Sequence, residues 1–135
     1  RYFNVYGDRQ PLVGQYAPVI GLFLEQWKKG EAFTIVGDGE QRRDFTHVDD
    51  VVKANIAAAE RASDISGEII NVGTGTNHSV NQIADTICSN YTKNFIPPRP
   101  AEARVTLADI SKAKKLLGYM PSIEISDWID EYKVQ

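Results

Sequence analysis

The chain has 135 residues, 42% hydrophobic and 24% charged, a globular composition long enough for one domain with its own core. Its net charge of −3 argues against a general nucleic-acid partner, which would need a basic excess. No apolar run is long enough to span a membrane, the single Cys88 rules out an internal disulfide framework and fits a reducing, cytoplasmic setting, and two histidines distant from that cysteine give no metal-ligand spacing.

Residues 1–6, rich in aromatic and β-branched types, predict a strand, and Gly7 to Pro11 is turn material. After Pro18 a helical pattern runs through Val19, Ile20, Phe23, Leu24 and Trp27, with Lys28 and Lys29 in its last turn and Gly30 as its stop. Phe33 to Val36 predicts a short strand ended by Gly37-Asp38-Gly39, and Arg43 to Thr46 a second one. A helix is expected from Val48 to Arg61, with Val48, Val51, Val52, Ile56 and Ala59 on one stripe and Thr46 and Asp49 as a variant capping box. Residues 63–67 are loop and Glu68 to Val72 a strand. Ser79 and Gln82 form a capping box ahead of a stripe of Val80, Ile83, Ala84 and Ile87. Asn94 to Ala101 is Pro-rich and irregular. Asp109 caps a helix carrying Ile110, Ala113, Leu116 and Leu117 that ends at Gly118, and Pro121-Ser122 lead into a last helix with Trp128 and Ile129 inward. The pattern is α/β, with short strands and dominant helices.

Asn71-Val72-Gly73-Thr74-Gly75 invites a dinucleotide reading, because Gly-x-Gly between a strand and a helix opens a pyrophosphate loop. Gly73 and Gly75 could supply the tight turn and the close backbone approach. The third small position is His78, whose side chain obstructs helix packing, and Lys93 and Asn94 stand where an acidic residue should meet a ribose. A glycine turn into a capped helix is the preferred reading. Arg43, if on a strand, shares a face with Phe45 and His47 and suits a forked grip on phosphate; the competing reading is a surface arginine paired with Asp44 or Asp49. Arg99 sits among prolines that stiffen its loop. His47 reads as a structural histidine at a helix start. Asp49 and Asp50, adjacent on a helix, point apart and make no catalytic pair.

Six segments then stand in a telling order: Arg1–Gly7 (RYFNVYG), Thr34–Gly39 (TIVGDG), Arg43–Val51 (RDFTHVDDV), Asn71–Gly75 (NVGTG), Arg99-Pro100 and Ala108–Ala113 (ADISKA). Together they resemble the C-terminal part of an extended short-chain dehydrogenase, of the NAD-dependent nucleotide-sugar epimerase/dehydratase type that includes UDP-glucose 4-epimerase. The resemblance spans nearly the whole chain. It implies a small C-terminal substrate-binding domain over residues 1–135, with Arg1–Gly7 as the end of a Rossmann portion that lies otherwise upstream. The start at Arg1 without a methionine fits such a piece.

In that family the Rossmann domain holds NAD and a Tyr-x-x-x-Lys base. No tyrosine here has lysine four positions on, so no catalytic residue is expected in this chain, and the piece alone is expected to be inert. The resemblance implies that Phe3 lies near the nicotinamide and Asn4 bonds the substrate diphosphate. It implies further that Val19 approaches the nucleotide, that Thr34, Ile35 and Val36 hold the base mostly through backbone, that Arg43 and Arg99 bind the diphosphate, that Glu102 meets the ribose hydroxyls, and that Thr106 lines the same mouth. Many members carry Gly-Asp where Ala101-Glu102 stands. The implied partners are a nucleotide-diphosphate sugar, most readily a UDP-sugar, and the missing Rossmann domain, with a homodimer possible for the full enzyme. The alternative is a non-enzymatic nucleotide-sugar-binding or structural module that lost its Rossmann partner.

Overall fold

The computed structural model describes residues 1–134 apart from Val13, Gln15 and Tyr16. Pro18, with φ −59° and ψ 144°, admits the chain to α1, Val19–Lys29. This helix buries Ile20, Phe23 and Leu24 and stops at Gly30, whose φ of 70° lets its N–H return to the Gln26 and Trp27 carbonyls. Strand β2, Phe33–Val36, follows and alternates in burial, with Phe33 and Ile35 inward. Strands β1 (Val5–Tyr6), β3 (Arg42–Arg43) and β4 (Thr46–His47) contribute two residues each. Helix α2 is Val48–Glu60, β5 is His78–Ser79, α3 is Val80–Ile87, β6 is Lys93–Ile96, α4 is Ser111–Leu117 and α5 is Ile125–Lys133.

The strands form three two-stranded sheets. β1 lies parallel to β4 and β2 parallel to β6, whereas β3 runs antiparallel to β5, with Arg42 opposite Ser79 and Arg43 opposite His78. Isolated parallel bridges join Tyr2 to Val72 and Arg42 to Val105. One core gathers α1, β2, α3 and α5 around Phe23, Phe33, Ile83 and Ile129, with Tyr6 and Phe45 filling its end. A second, smaller core packs α2 on α4 through Val51, Ala54, Ala113 and Leu117, closed by Val72 and Tyr119.

Several expectations need correction. Arg43 to Thr46 is not one strand. Asp44 turns a fully buried carboxylate away to other partners, so β3 and β4 separate and pair with different strands. Residues 68–72 form no strand; only Val72 bridges, while the N-terminal amine bonds the Ile70 carbonyl at 2.7 Å. The start of the Pro-rich stretch is ordered: Lys93–Ile96 pairs with all four residues of β2 before the prolines end the ladder. Its Phe95 is 54% exposed, not in the core. On α2, Val52 and Ile56 are 49% and 55% exposed, so the buried stripe is narrower than the sequence suggested. Thr46 is not its cap; His47 is, its Nδ1 accepting from the Asp49 N–H at 3.2 Å. The Ser79/Gln82 capping box is complete, with bonds of 3.1 and 2.8 Å.

Asp50 and Asp44, both at 0% exposure, hold the cores to their loops. Asp50 accepts from the backbone of Ser122 (3.0 Å) and Ile123 (3.2 Å), from the Ser122 hydroxyl (3.1 Å) and from Lys53 (3.0 Å). Burial pushes this carboxyl up, but those hydrogen bonds outweigh it and hold the group below the usual carboxylate range.

Candidate functional site

A cavity of about 400 Å3 opens between the start of α1, β2, β3 and the loop after β6. Each wall has a local cause. Asn4, with φ 24°, breaks the expected strand of residues 1–6 between the Tyr2 bridge and β1. Asparagine tolerates this left-handed region better than most residues. Its carbonyl accepts from the Thr46 N–H at 3.3 Å, and Asn4 borders the cavity. Pro18, Val19 and Leu22 supply an apolar wall from the first turn of α1. The alternation of β2 turns Thr34 and Val36 to the cavity and keeps Ile35 wholly in the core.

The parallel register with β6 leaves the N–H and C=O groups of Thr34 and Val36 on the opposite edge of β2. Two glutamines engage part of that edge. Gln26 accepts from the Thr34 N–H at 3.0 Å and donates to its hydroxyl at 2.9 Å, and Gln41 donates to the Val36 carbonyl at 2.9 Å. The Thr34 carbonyl and the Val36 N–H lie between them, an acceptor and a donor flanking Ile35.

Two guanidinium groups reach the same cavity. Arg43 comes from β3, with its side chain only 14% exposed; Nη1 donates to the Arg42 carbonyl at 2.8 Å and Nη2 to Glu102 at 3.0 Å. It pairs with neither Asp44 nor Asp49. Arg99, exposed, follows Pro97 and Pro98 out of β6. Glu102 borders the cavity on a segment pinned at two points. The Arg104 carbonyl accepts from the Arg42 N–H at 2.8 Å, and the Arg104 guanidinium clasps Asp38 through two bonds of 2.7 and 2.9 Å. That clasp, helped by the Glu40 N–H, holds the Asp38 carboxyl down to about 2.

Of the implied site residues, the structure brings Asn4, Val19, Thr34, Val36, Arg43, Arg99 and Glu102 to one cavity. Phe3, half-buried, lies off it with its N–H on the Val72 carbonyl. Thr106 does not border it either, because the Arg42–Val105 bridge tucks its N–H onto the Arg42 carbonyl at 3.0 Å. His47 faces elsewhere, edge-on to Tyr6 at 5.2 Å, so it shares no site with Arg43. Sequence reading missed Gln41, Phe45 and Val80 as lining residues. Phe45 was in reach, lying two positions after Arg43; Gln41 and Val80 carry no sign of the role outside the folded arrangement.

The glycine loop is accounted for by Asp44. Its Oδ1 accepts from the Thr74 N–H and hydroxyl, both at 2.8 Å, and its Oδ2 from the Gly75 N–H at 2.9 Å and the Ala108 N–H at 3.1 Å. A Cβ on Gly73 would sit 2.4 Å from that of Ala108 and 2.9 Å from the Asp44 carboxylate. Gly73 is therefore required by close packing. The backbone amides that could cradle a pyrophosphate are spent on a carboxylate, which would also repel one. This loop does not fit NAD. Tyr119 seals the turn from behind, its hydroxyl donating to the Gly73 carbonyl at 2.9 Å, and burial, with Asp50 and Asp44 nearby, pushes the phenol up to about 12. Among the described residues no cluster of three or more His, Cys, Asp or Glu could hold a metal, and no helix is long and apolar enough to cross a membrane.

Residues 1–73, more than half of the sequence, match the NAD dependent epimerase/dehydratase family. The chain belongs to this family. Among its curated relatives, a putative UDP-glucose 4-epimerase of Methanocaldococcus jannaschii is 40% identical over 133 residues, covering 96% of this chain and 42% of that protein. A UDP-glucuronate 4-epimerase of Thermodesulfobacterium geofontis is 38% identical, covering 94% and 39%. The chain thus spans about two fifths of the length of these relatives. Among solved family structures, UDP-glucuronic acid 4-epimerase from Bacillus cereus, in complex with UDP-glucuronic acid and NAD, superposes with a TM-score of 0.85 at 37% identity, over 96% of this chain and 41% of the other. UDP-glucose 4-epimerase from Thermotoga maritima, with UDP-glucose, gives 0.84 at 35% identity, over 100% and 46%. The fold is a small α/β arrangement, with short strands and five helices among the described residues, similar to part of each of those solved structures.

Proposed function

We propose that this chain is the substrate-binding part of an NAD-dependent nucleotide-sugar epimerase or dehydratase, and that its cavity holds the nucleotide and the diphosphate. The observation that carries the reading is the convergence of Arg43 and Arg99, from two separate elements, on a cavity of about 400 Å3 beside Asn4. That volume is within the range of small-molecule sites. Two forked cations suit two adjacent phosphates through charge-assisted bonds, and the Asn4 amide adds a neutral donor. The Thr34 carbonyl and Val36 N–H offer an acceptor beside a donor, the complement of the imide edge of uracil. Glu102 offers a carboxylate to ribose hydroxyls.

Bound NAD would supply the hydride acceptor for oxidising the sugar. The residues of this chain bind and orient the substrate and hold no general base. Phe3 is the one residue proposed to approach the nicotinamide, from the edge of the Tyr2–Val72 pairing. The cofactor domain is proposed to pack on the face where Tyr2 (57% exposed) and Ile69 (58%) border one apolar hollow with Ile65 and Ile70.

The test is isothermal titration of the full-length protein with a UDP-sugar. Arg43→Ala and Arg99→Ala should each weaken binding about tenfold or more, as expected for loss of a charge-assisted contact. Unchanged affinity in both variants would refute the site.

A further inference from the structure

Arg43 is already engaged by a carboxylate from the wall of its own cavity. Nη1 donates to the Arg42 carbonyl and Nη2 to Glu102 at 3.0 Å, so each terminal nitrogen already holds one protein acceptor. The pair is partly exposed, the Arg43 side chain at 14% and that of Glu102 at 30%. Its backbone is tethered on the C-terminal side. Beyond Glu102 the segment is fixed by the Arg42–Val105 bridge and the Arg104–Asp38 clasp, and before it Ala101 stands at φ 59°. The Glu102 side chain is long enough to bring Oε1 onto Arg43 from this segment.

Resting on the diphosphate reading above, we propose that Glu102 is a built-in competitor for Arg43, and that it makes the site select ligands carrying a ribose diol as well as a diphosphate. A diphosphate entering alone takes Arg43 and leaves Glu102 charged, facing the anion, with its partner gone. A carboxylate accepts hydrogen bonds and donates none, and a pyrophosphate near neutral pH offers almost no donor in return. A nucleoside diphosphate brings two ribose hydroxyls that can donate to the freed carboxylate. The exchange is then Arg43–Glu102 for Arg43–phosphate plus Glu102–ribose. Inorganic pyrophosphate meets the first half of the exchange only, so the wild-type site penalises it relative to UDP. The effect is discrimination through a group left unpaired by the wrong ligand.

The experiment measures the affinities of inorganic pyrophosphate and UDP for the full-length protein and for Glu102→Gln, Glu102→Asp and Arg43→Ala. Glu102→Gln should bind pyrophosphate about two- to fivefold tighter, the scale of a partly exposed ion pair, while UDP gains less or loses affinity. The ratio of UDP to pyrophosphate affinity contracts accordingly. Glu102→Asp, too short to hold Arg43 but still an acceptor, should tighten pyrophosphate and keep the preference for UDP. If Glu102→Gln binds pyrophosphate no tighter than the wild type, the competitor role is overturned while the diphosphate site stands. If Arg43→Ala binds UDP as the wild type does, the diphosphate reading itself falls, and the competitor with it.

Discussion

Replacing Asp44 by asparagine tests the account of the glycine loop with almost no change in shape. The two carboxylate oxygens divide their work: Oδ1 serves the Thr74 N–H and hydroxyl, and Oδ2 serves the Gly75 and Ala108 N–H groups. An amide has one oxygen. Turned toward Gly75 and Ala108 its NH2 faces two backbone donors; turned the other way it faces the Thr74 N–H, because the Thr74 hydroxyl can rotate to the Thr76 carbonyl at 2.9 Å, and neither site has access to water. Even the better orientation loses a bond to a charged acceptor, about 1.5–3 kcal/mol, and leaves a buried donor unpaired. A penalty of about 2–4 kcal/mol follows, a large share of the 5–15 kcal/mol that holds a typical domain together. Urea unfolding followed by tryptophan fluorescence reads it, with Thr74→Val as a graded control that removes the hydroxyl's bonds to Asp44 and to the Thr76 backbone, about 1–2 kcal/mol. The reasoning is refuted if Asp44→Asn shifts stability by less than about 1 kcal/mol, because Asp44 would then not be the tie between residues 74–75 and 108.

Three further outcomes are expected. Ala101→Gly should stabilise by up to about 1 kcal/mol, since φ 59° strains any residue with a Cβ; a destabilised variant in thermal melts would contradict that strain. Ser79→Ala should cost about 0.5–2 kcal/mol by removing half of the capping box, measured by the same urea titration, and Gln82→Ala should cost part of the same amount. Asp38, held down to about 2 by Arg104, contributes stability that is full above its unfolded value near 4 and is lost as pH falls through about 2. Arg104→Gln should therefore return the Asp38 titration, followed by carboxyl carbon NMR, to the ordinary range and flatten stability against pH between those limits.

Helices were legible where one face carries the pattern and a cap marks the start. The stripe of α3 and its Ser79/Gln82 box agree with each other, and α1 sits between Pro18 and Gly30 as its residues dictate. The short strands were less so. Lys93 and Asn94 show no alternation, and Phe95 and Ile96 are exposed, so nothing local marks β6; the free edge of β2 makes it a strand. Arg43 to Thr46 reads as one strand, yet the buried Asp44 divides it, and a buried carboxylate is specified by donors 30 and 64 residues away. The cavity was reached through ordered landmarks, which placed Arg43 and Arg99 without explaining their convergence. Thr106 was misplaced for the same reason. Its position depends on a bridge between residues 42 and 105, a relation that no spacing in the chain encodes.

The three sheets also constrain the order of events in folding. β2 waits for β6 and β3 for β5, and the first of these pairings encloses the second along the chain. No cavity wall can therefore be finished by a hairpin of neighbours. Asn4, Thr34, Arg43 and Glu102 meet only after almost a hundred residues have been closed into loops, which favours slow, concerted assembly. A chain extending only as far as α3 already owns most of its hydrophobic interior but lacks Arg99 and Glu102, the charged wall that completes the cavity. Ligand binding thus reports completion of the whole domain, and a substrate present during synthesis would favour the finished state over every partial one.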